Sequence, residues 1–195
     1  MMSHHHIELL NKNSSHVVAA ANLHTRCLPS TITSQRGSAT LTGIYRKLLH
    51  QDHSIIVAVS GEQIVGGIVV LRASRPSPRW FILLYRPWSW WLAMYRLGLT
   101  SFSRQLVDVI TLQRSTDSLQ PHDYIIAVYV DEDFRGLGIG RDLVRSAIEN
   151  SQMRHVGLMV DTNSDNSVAL SLYRQLGFRD CRQTKLSTMF TLETA

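Results

Sequence analysis

Val130-Asp131-Glu132-Asp133-Phe134-Arg135-Gly136-Leu137-Gly138-Ile139-Gly140-Arg141 is the stretch whose reading decides the fold. The run before it, Tyr124 to Val130, is apolar and reads as a strand. The residues after it, Gly140 to Asn150, place Leu143, Val144, Ala147 and Ile148 on one helical face. A strand ends, three glycines fall within five residues, and a helix starts. Glycine admits unusual φ values and lets a ligand approach the main chain. The free N–H groups of a helix start, with its positive dipole end, make an anion site. A diphosphate fits such a site, and Arg135 and Arg141 add charge-assisted contacts.

Spacing excludes two other phosphate loops. Gly136, Gly138 and Gly140 run Gly-x-Gly-x-Gly, whereas a dinucleotide fingerprint runs Gly-x-Gly-x-x-Gly with an acidic residue placed for the ribose. A P-loop needs Lys-Ser/Thr after its last glycine, and here Arg141-Asp142 follows. A plain tight turn is the remaining alternative.

Downstream, Val156 to Asp161 reads as a strand and Asn166 to Leu176 as a helix. That helix has Val168, Leu172 and Leu176 along one ridge, Ala169 and Tyr173 beside it, and Gly177 as its C′ residue. Phe178 to Gln183 and Leu186 to Leu192 read as a closing antiparallel pair. Upstream, residues 6–10 read as a first strand. Ser14 or Ser15 caps a helix through about Cys27, with Val17, Val18, Ala21 and Leu28 inward. Leu28-Pro29-Ser30 breaks it. A second helix fits Ser38 to His50, with Leu41, Ile44, Tyr45, Leu48 and Leu49 at helical spacing. Ile55 to Val59 and Ile64 to Leu71 read as strands joined by a Ser60–Gln63 hairpin turn.

Residues 74–120 interrupt this series. Trp80 to Leu99 holds all four tryptophans of the chain and has the length of a membrane span. Arg86, Pro87 and Arg96 interrupt it, which argues against an integral membrane protein. The expectation is a helical insertion covering the acceptor end of a cleft or a second subunit, as in a homodimer. A membrane-surface helix is the alternative.

The 195 residues suit one domain, and 44% apolar with 18% charged residues exclude wholesale disorder. The net charge of +5 is concentrated before residue 123. The arginines at 75, 79, 86, 96, 104 and 114 are spread singly, so no nucleic-acid partner is expected. Cys27 and Cys181 match no metal-ligand spacing and form no disulfide framework, which points to a reducing, cytoplasmic location. His4, His5 and His6 read as a solvated terminus or a tag remnant, not a metal site.

The glycine loop resembles motif A of the GNAT family of N-acetyltransferases, Arg/Gln-x-x-Gly-x-Gly/Ala, filled by Arg135, Gly138 and Gly140. The family's second signature is Asn-x-x-Ala-x-x-Leu-Tyr-x-x-x-Gly-Phe. Asn166, Ala169, Leu172, Tyr173, Gly177 and Phe178 match it, about 26 residues beyond Gly140. The resemblance covers Tyr124 to Phe178 and implies an α/β fold. Its sheet is mixed and largely antiparallel, flanked by helices, with splayed central strands, and here with a helical insertion. It implies a single acetyltransferase domain over 1–195, with the aromatic-rich insertion at about 74–120.

The implied activity moves an acetyl group from acetyl-CoA, a cosubstrate, to a primary amine by direct attack, with no metal. The acceptor is a small-molecule or peptide amine. Val128 and Val130 would line the pantetheine arm. The N–H groups of Arg135, Gly136, Leu137, Gly138, Ile139 and Gly140 would hold the diphosphate, with Arg141 beside them. Tyr173 matches the tyrosine that faces the CoA sulfur, and its phenol can protonate a thiolate. Asn166 matches a pantetheine contact and equally a helix N-cap.

Relatives often carry a glutamate in the strand before the loop, and Tyr124 to Val130 has no carboxylate. Asp123, Asp161 and Tyr129 are the candidate bases, while Asp131 to Asp133 reads as a solvated turn. The link Leu28 to Gly37 would meet the acceptor through Ser34, Gln35 and Arg36. A non-catalytic CoA-binding or protein-interaction module is the alternative to an enzyme.

Overall fold

The structure, a computed structural model, describes residues 5–72, 122–183 and 187–193. The insertion expected at 74–120 lies outside them. In chain order the elements are β1 (His5–Leu9), α1 (His16–Cys27), α2 (Ile32–Gln35), α3 (Ser38–His50), β2 (Ser54–Ser60), β3 (Gln63–Leu71) and β4 (His122–Val130). Then come α4 (Ile139–Gln152), β5 (Gly157–Asn163), α5 (Ser167–Gln175), β6 (Arg179–Gln183) and β7 (Ser187–Leu192). One sheet holds the strands in the order β1-β2-β3-β4-β5-β7-β6. Its neighbours are antiparallel except β4 and β5.

Both faces of the central strands are covered, which explains why β2 and β3 are apolar without alternation. On one face α1 and α3 pack Val17, Ala21, Leu41, Tyr45 and Leu48 against Val57, Val69 and Tyr129. On the other, α4 and α5 bring Ile139, Leu143, Val144 and Tyr173 against Ile68, Ile125, Val160 and Phe190.

The feature that positions the site is an interruption. β4 and β5 pair only from His122↔Gly157 to Ile125↔Val160. Beyond that point β5 follows β7 to Asn163↔Ser187, and β4 follows β3 to Val130↔Gly66. Val69 lies opposite Ala127 and Val70 opposite Ile125, so Ile126 is an extra residue, a β-bulge. A bulge bends its strand, and this one falls where β4 leaves β5. The splayed central strands expected from the sequence are therefore present.

Local differences have local causes. Ser15 is the N-cap residue of α1 but its side chain makes no capping bond; the Ser14 Oγ instead accepts the His16 N–H at 3.1 Å. Val18 is 43% exposed, and the buried stripe of α1 is Val17, Ala20, Ala21, Leu23 and His24. Val168 is likewise 79% exposed, because α5 buries only the turn around Tyr173. The link after α1 contains the short helix α2, which the turn residues around Pro29 conceal. His5 and His6 belong to β1; His5 is half-buried with Nε2 2.9 Å from Asp142 Oδ2, while His6 is exposed to solvent.

Candidate active site

The loop after β4 is set by short-range hydrogen bonds. The Asp131 N–H donates to Val65 O at 2.9 Å and ends the ladder. The Asp131 carboxylate accepts the Asp133 N–H and, at 2.7 Å, Arg26 Nη2. A single 3-10 turn, Glu132–Phe134, follows. The acidic run is thus a turn, but only Glu132 and Asp133 are solvated in it, because Asp131 is buried and paired with Arg26. Gly136 (φ 78°) and Gly138 (φ 83°) then take left-handed backbone, and a Cβ on either would meet nothing within 4 Å. The loop is open on that side.

Asp142 makes the first bond of α4, donating to Gly138 O at 3.1 Å. Among the described residues, no acceptor takes the N–H groups from Gly136 to Arg141. Six consecutive donors at a helix start, with room above two glycines, fit a diphosphate.

The side chains of this loop divide. Ile139 is buried in the core and contributes only its N–H. Leu137 is 53% exposed. A Cβ on Gly140 would come to 3.8 Å from Val130, within ordinary contact. Arg135 is exposed and its Nε donates to Val130 O at 3.4 Å. Arg141 Nη2 donates to Gln175 Oε1 at 2.9 Å, tying α4 to α5.

Val128 and Val130, both half-buried, follow the bulge on the diverging half of β4 and pack toward the α4 side. Tyr173 lies in that same core, its ring 5.6 Å from both Phe178 and Phe190. Burial, and then the charge of Asp161, push its phenol well above the usual value, so it holds its proton. A Schellman motif fixes this end of α5: Phe178 N–H donates to Tyr173 O and Gly177 N–H to Arg174 O. Asn166 is the N-cap of α5, and its Oδ1 accepts the Ala169 N–H at 3.1 Å.

The three candidate bases lie in different surroundings. Asp123 is fully buried and accepts from Ser151 Oγ at 2.7 Å and from both terminal nitrogens of Arg154. It fastens the end of α4 to the paired half of β4. Tyr129 is 3% exposed under α1 and α3, and its hydroxyl accepts from Tyr45 at 3.2 Å. Burial raises its phenol, so it stays protonated. Asp161 is half-buried near the end of β5, and its charge acts on the Tyr173 phenol.

Tyr129 belongs to a buried polar cluster that sequence reasoning did not assemble. His24 Nδ1 is 2.7 Å from Tyr45 Oη, and the His24 and Tyr129 rings are 4.9 Å apart. His24 Nε2 is buried without a hydrogen-bond partner. Desolvation lowers the His24 pKa from 6.5 to about 4, so the ring is neutral. The available signal was helical spacing, since residue 24 continues the inward stripe of Ala20 and Ala21.

On the link, Ser34 is buried and accepts from Thr31 Oγ1 at 2.7 Å, so it closes the turn. Arg36 is partly desolvated, and its Nε is buried without a partner. A separate open cleft of about 850 Å³ lies between α1, the start of α3 and the β2–β3 turn, lined by Asn22, Arg26, Ser38 and Glu62. It shares no lining residue with the glycine loop or Tyr173. Among the described residues, no group of three or more His, Cys, Asp or Glu is placed to hold a metal, and no helix is long and apolar enough to cross a membrane.

Comparison with known proteins agrees with this geometry. N-alpha-acetyltransferase 30 of Saccharomyces cerevisiae is 41% identical over 56 residues, which is 28% of this chain and 32% of that protein. The match therefore spans about a third of that relative. The acetyltransferase yncA of Salmonella typhimurium, solved with its cofactor acetyl-CoA, superposes with TM-score 0.64 at 13% identity, covering 98% of this chain and 94% of its own. The NatC complex bound to Gag peptide and CoA contains a chain with TM-score 0.61 at 18% identity, covering 98% of each. The model of the Acetyltransferase (GNAT) family matches residues 17–178, most of the chain, and the chain belongs to that family.

Proposed function

We propose that this protein is an N-acetyltransferase that transfers the acetyl group of acetyl-CoA directly to a primary amine, with residues 1–195 acting as one domain. The observation that carries the reading is the splay of β4 from β5 beside a loop of free N–H groups. The N–H groups of Gly136 to Gly140 hold the diphosphate, the Arg135 N–H being already donated to Glu132 O, and Arg141 adds positive charge beside it. The main chain of Val128 and the Val130 N–H, which have no β5 partner, are left for the pantetheine amides, as a sheet edge receives an added strand; the Val130 carbonyl already accepts from Arg135 Nε and Cys27 Sγ. The amide nitrogen of Asn166 is available to the same arm while its oxygen caps α5. Tyr173 protonates the leaving sulfur. Its hydroxyl keeps its proton at neutral pH and so is a hydrogen-bond donor to the developing thiolate.

A polypeptide N-terminus is the favoured acceptor, because the curated relative is an N-alpha-acetyltransferase and one structural neighbour is bound to a peptide. An α-amine, with a pKa of about 8, is more readily neutral than a lysine side chain near 10. The free thiols of Cys27 and Cys181 fit a reducing cytoplasm.

Thiol release from acetyl-CoA, measured across peptides with free or blocked N-termini and a free lysine, tests the reading. Release should require the free α-amine. Acetyl-CoA that raises the melting temperature without thiol release on any amine would instead support a binding module. Tyr173→Phe should slow turnover by roughly 10–1000-fold with little change in acetyl-CoA affinity.

A further inference from the structure

The last turn of α1 holds three consecutive residues where β4 runs out. His24 reaches Tyr129 by ring contact and through the Tyr45 hydroxyl of α3. Cys27 Sγ donates to the Val130 carbonyl at 3.4 Å. Arg26 Nη2 donates to Asp131 Oδ2 at 2.7 Å. The peptide joining Val130 to Asp131 is thus held at both ends, its carbonyl by Cys27 and its N–H by Val65 O at 2.9 Å. From the β3 side, the Tyr129 ring lies across Gly67, where a Cβ would collide with the Tyr129 hydroxyl.

These contacts fall where β4 has lost β5. Pairing with β5 ends at Ile125, so the rest of β4 has β3 as its one strand partner. The turn of α1 restrains that stretch in place of β5. Order present before a ligand arrives lowers the cost of binding it.

Of the three α1 residues, Arg26 also brings charge. Asp131 is the N-cap of the turn that leads into Gly136–Gly140, and its side chain is only 12% exposed. Unpaired, its carboxylate would stand at the root of a loop whose N–H groups receive a diphosphate, and like charges repel. Arg26, 66% exposed, neutralises it from the solvent side. Arg135, the arginine of the loop itself, lies 3.8 Å from Glu132 instead.

We propose that Arg26 is a positioning residue for acetyl-CoA, acting through Asp131: it neutralises that carboxylate and, with His24 and Cys27, fixes the end of β4 that feeds the diphosphate loop. This role rests on the acetyl-CoA reading above.

Isothermal titration with acetyl-CoA tests it. Arg26→Met keeps the apolar stem and removes the charge, and its dissociation constant should rise roughly tenfold, within the range for coupled neighbours. Asp131→Asn removes the opposing charge and keeps an oxygen to cap the turn. Added to Arg26→Met, it should bring the affinity back to within about threefold of the parent. A role in holding the fold alone predicts no such recovery, because the second substitution restores no hydrogen bond from Arg26. Arg26→Gln serves the same purpose if the methionine variant does not fold. A folded Arg26→Met or Arg26→Gln variant that binds as tightly as the parent overturns the proposal, as does a double variant as weak as the single one. A parent that binds no acetyl-CoA refutes the acetyl-CoA reading instead.

Discussion

β4 pairs with β5 from His122 to Ile125 and with β3 from Tyr124 to Val130, so Tyr124 and Ile125 are held on both edges; from the bulge at Ile126 onward it parts from β5. The first half carries Asp123, a buried carboxylate with its hydrogen bonds made by Ser151 and Arg154. The second half carries Val128 and Val130, which have no β5 partner, and ends in a loop of unbonded N–H groups. The same nine-residue strand is structural at one end and ligand-facing at the other. Unsatisfied backbone is costly in a sheet interior and persists where a ligand completes it.

The sharpest way to break the structural half is Asp123→Ala. It removes a fully buried carboxylate and leaves Ser151 and Arg154 without their acceptor. Breaking such a pair costs about 3–5 kcal/mol, toward the lower end here because the arginine can turn outward. Chemical denaturation should show the midpoint falling with no change in slope. A loss below about 1 kcal/mol would mean that α4 is held to β4 by apolar packing alone.

The next effect separates the two faces of the sheet. His24, Tyr45 and Tyr129 form the polar centre of the α1–α3 face, and His24 is neutral with its pKa near 4. The unfolded chain takes up this proton near pH 6.5 and the folded chain only near pH 4. Stability contributed by neutral His24 is therefore present above pH 6.5 and lost as pH falls toward 4, about 3 kcal/mol in all. Urea midpoints at pH 7, 5 and 4 should show the decline, and His24→Gln should flatten it. An equal decline in the variant would assign acid sensitivity to other groups.

Gly138→Asp acts on the ligand-facing half alone. Aspartate tolerates left-handed backbone better than most residues, and a Cβ there meets nothing within 4 Å, so the fold should survive. A carboxylate now stands at the anion site. Acetyl-CoA affinity should fall at least 100-fold, about 2.7 kcal/mol. Isothermal titration that found parent-like affinity would move the diphosphate elsewhere.

What could be read from the sequence follows the same division. The helix over Ser38–His50 is found as expected because its apolar spacing is regular and Gly37 precedes it. The glycine loop is legible because left-handed backbone at Gly136 and Gly138 demands a particular residue type. The splay is not legible by motif, since it lies where β4 departs from β5. That departure depends on a bulge at Ile126, and isoleucine carries no bulge signal. The His24 cluster is hidden for a related reason: its three members come from α1, α3 and β4, and only tertiary packing brings them together.

The smallest effect concerns Asn166, where the two halves of the argument meet in one side chain. Its Oδ1 caps α5 through the Ala169 N–H, while its amide nitrogen is the part offered to the cofactor. Asn166→Ala removes both functions and should cost about 1 kcal/mol, the usual worth of an N-cap. In a chain of this size that corresponds to a melting shift of about 2–4 °C. Asn166→Ser separates the roles, because a serine hydroxyl caps nearly as well but has no amide nitrogen. If the serine variant melts with the parent yet binds acetyl-CoA several-fold more weakly, the amide contacts the pantetheine arm. If both melting and affinity match the parent, Asn166 is a cap only, and the pantetheine is held by the main chain of Val128 and Val130 without it.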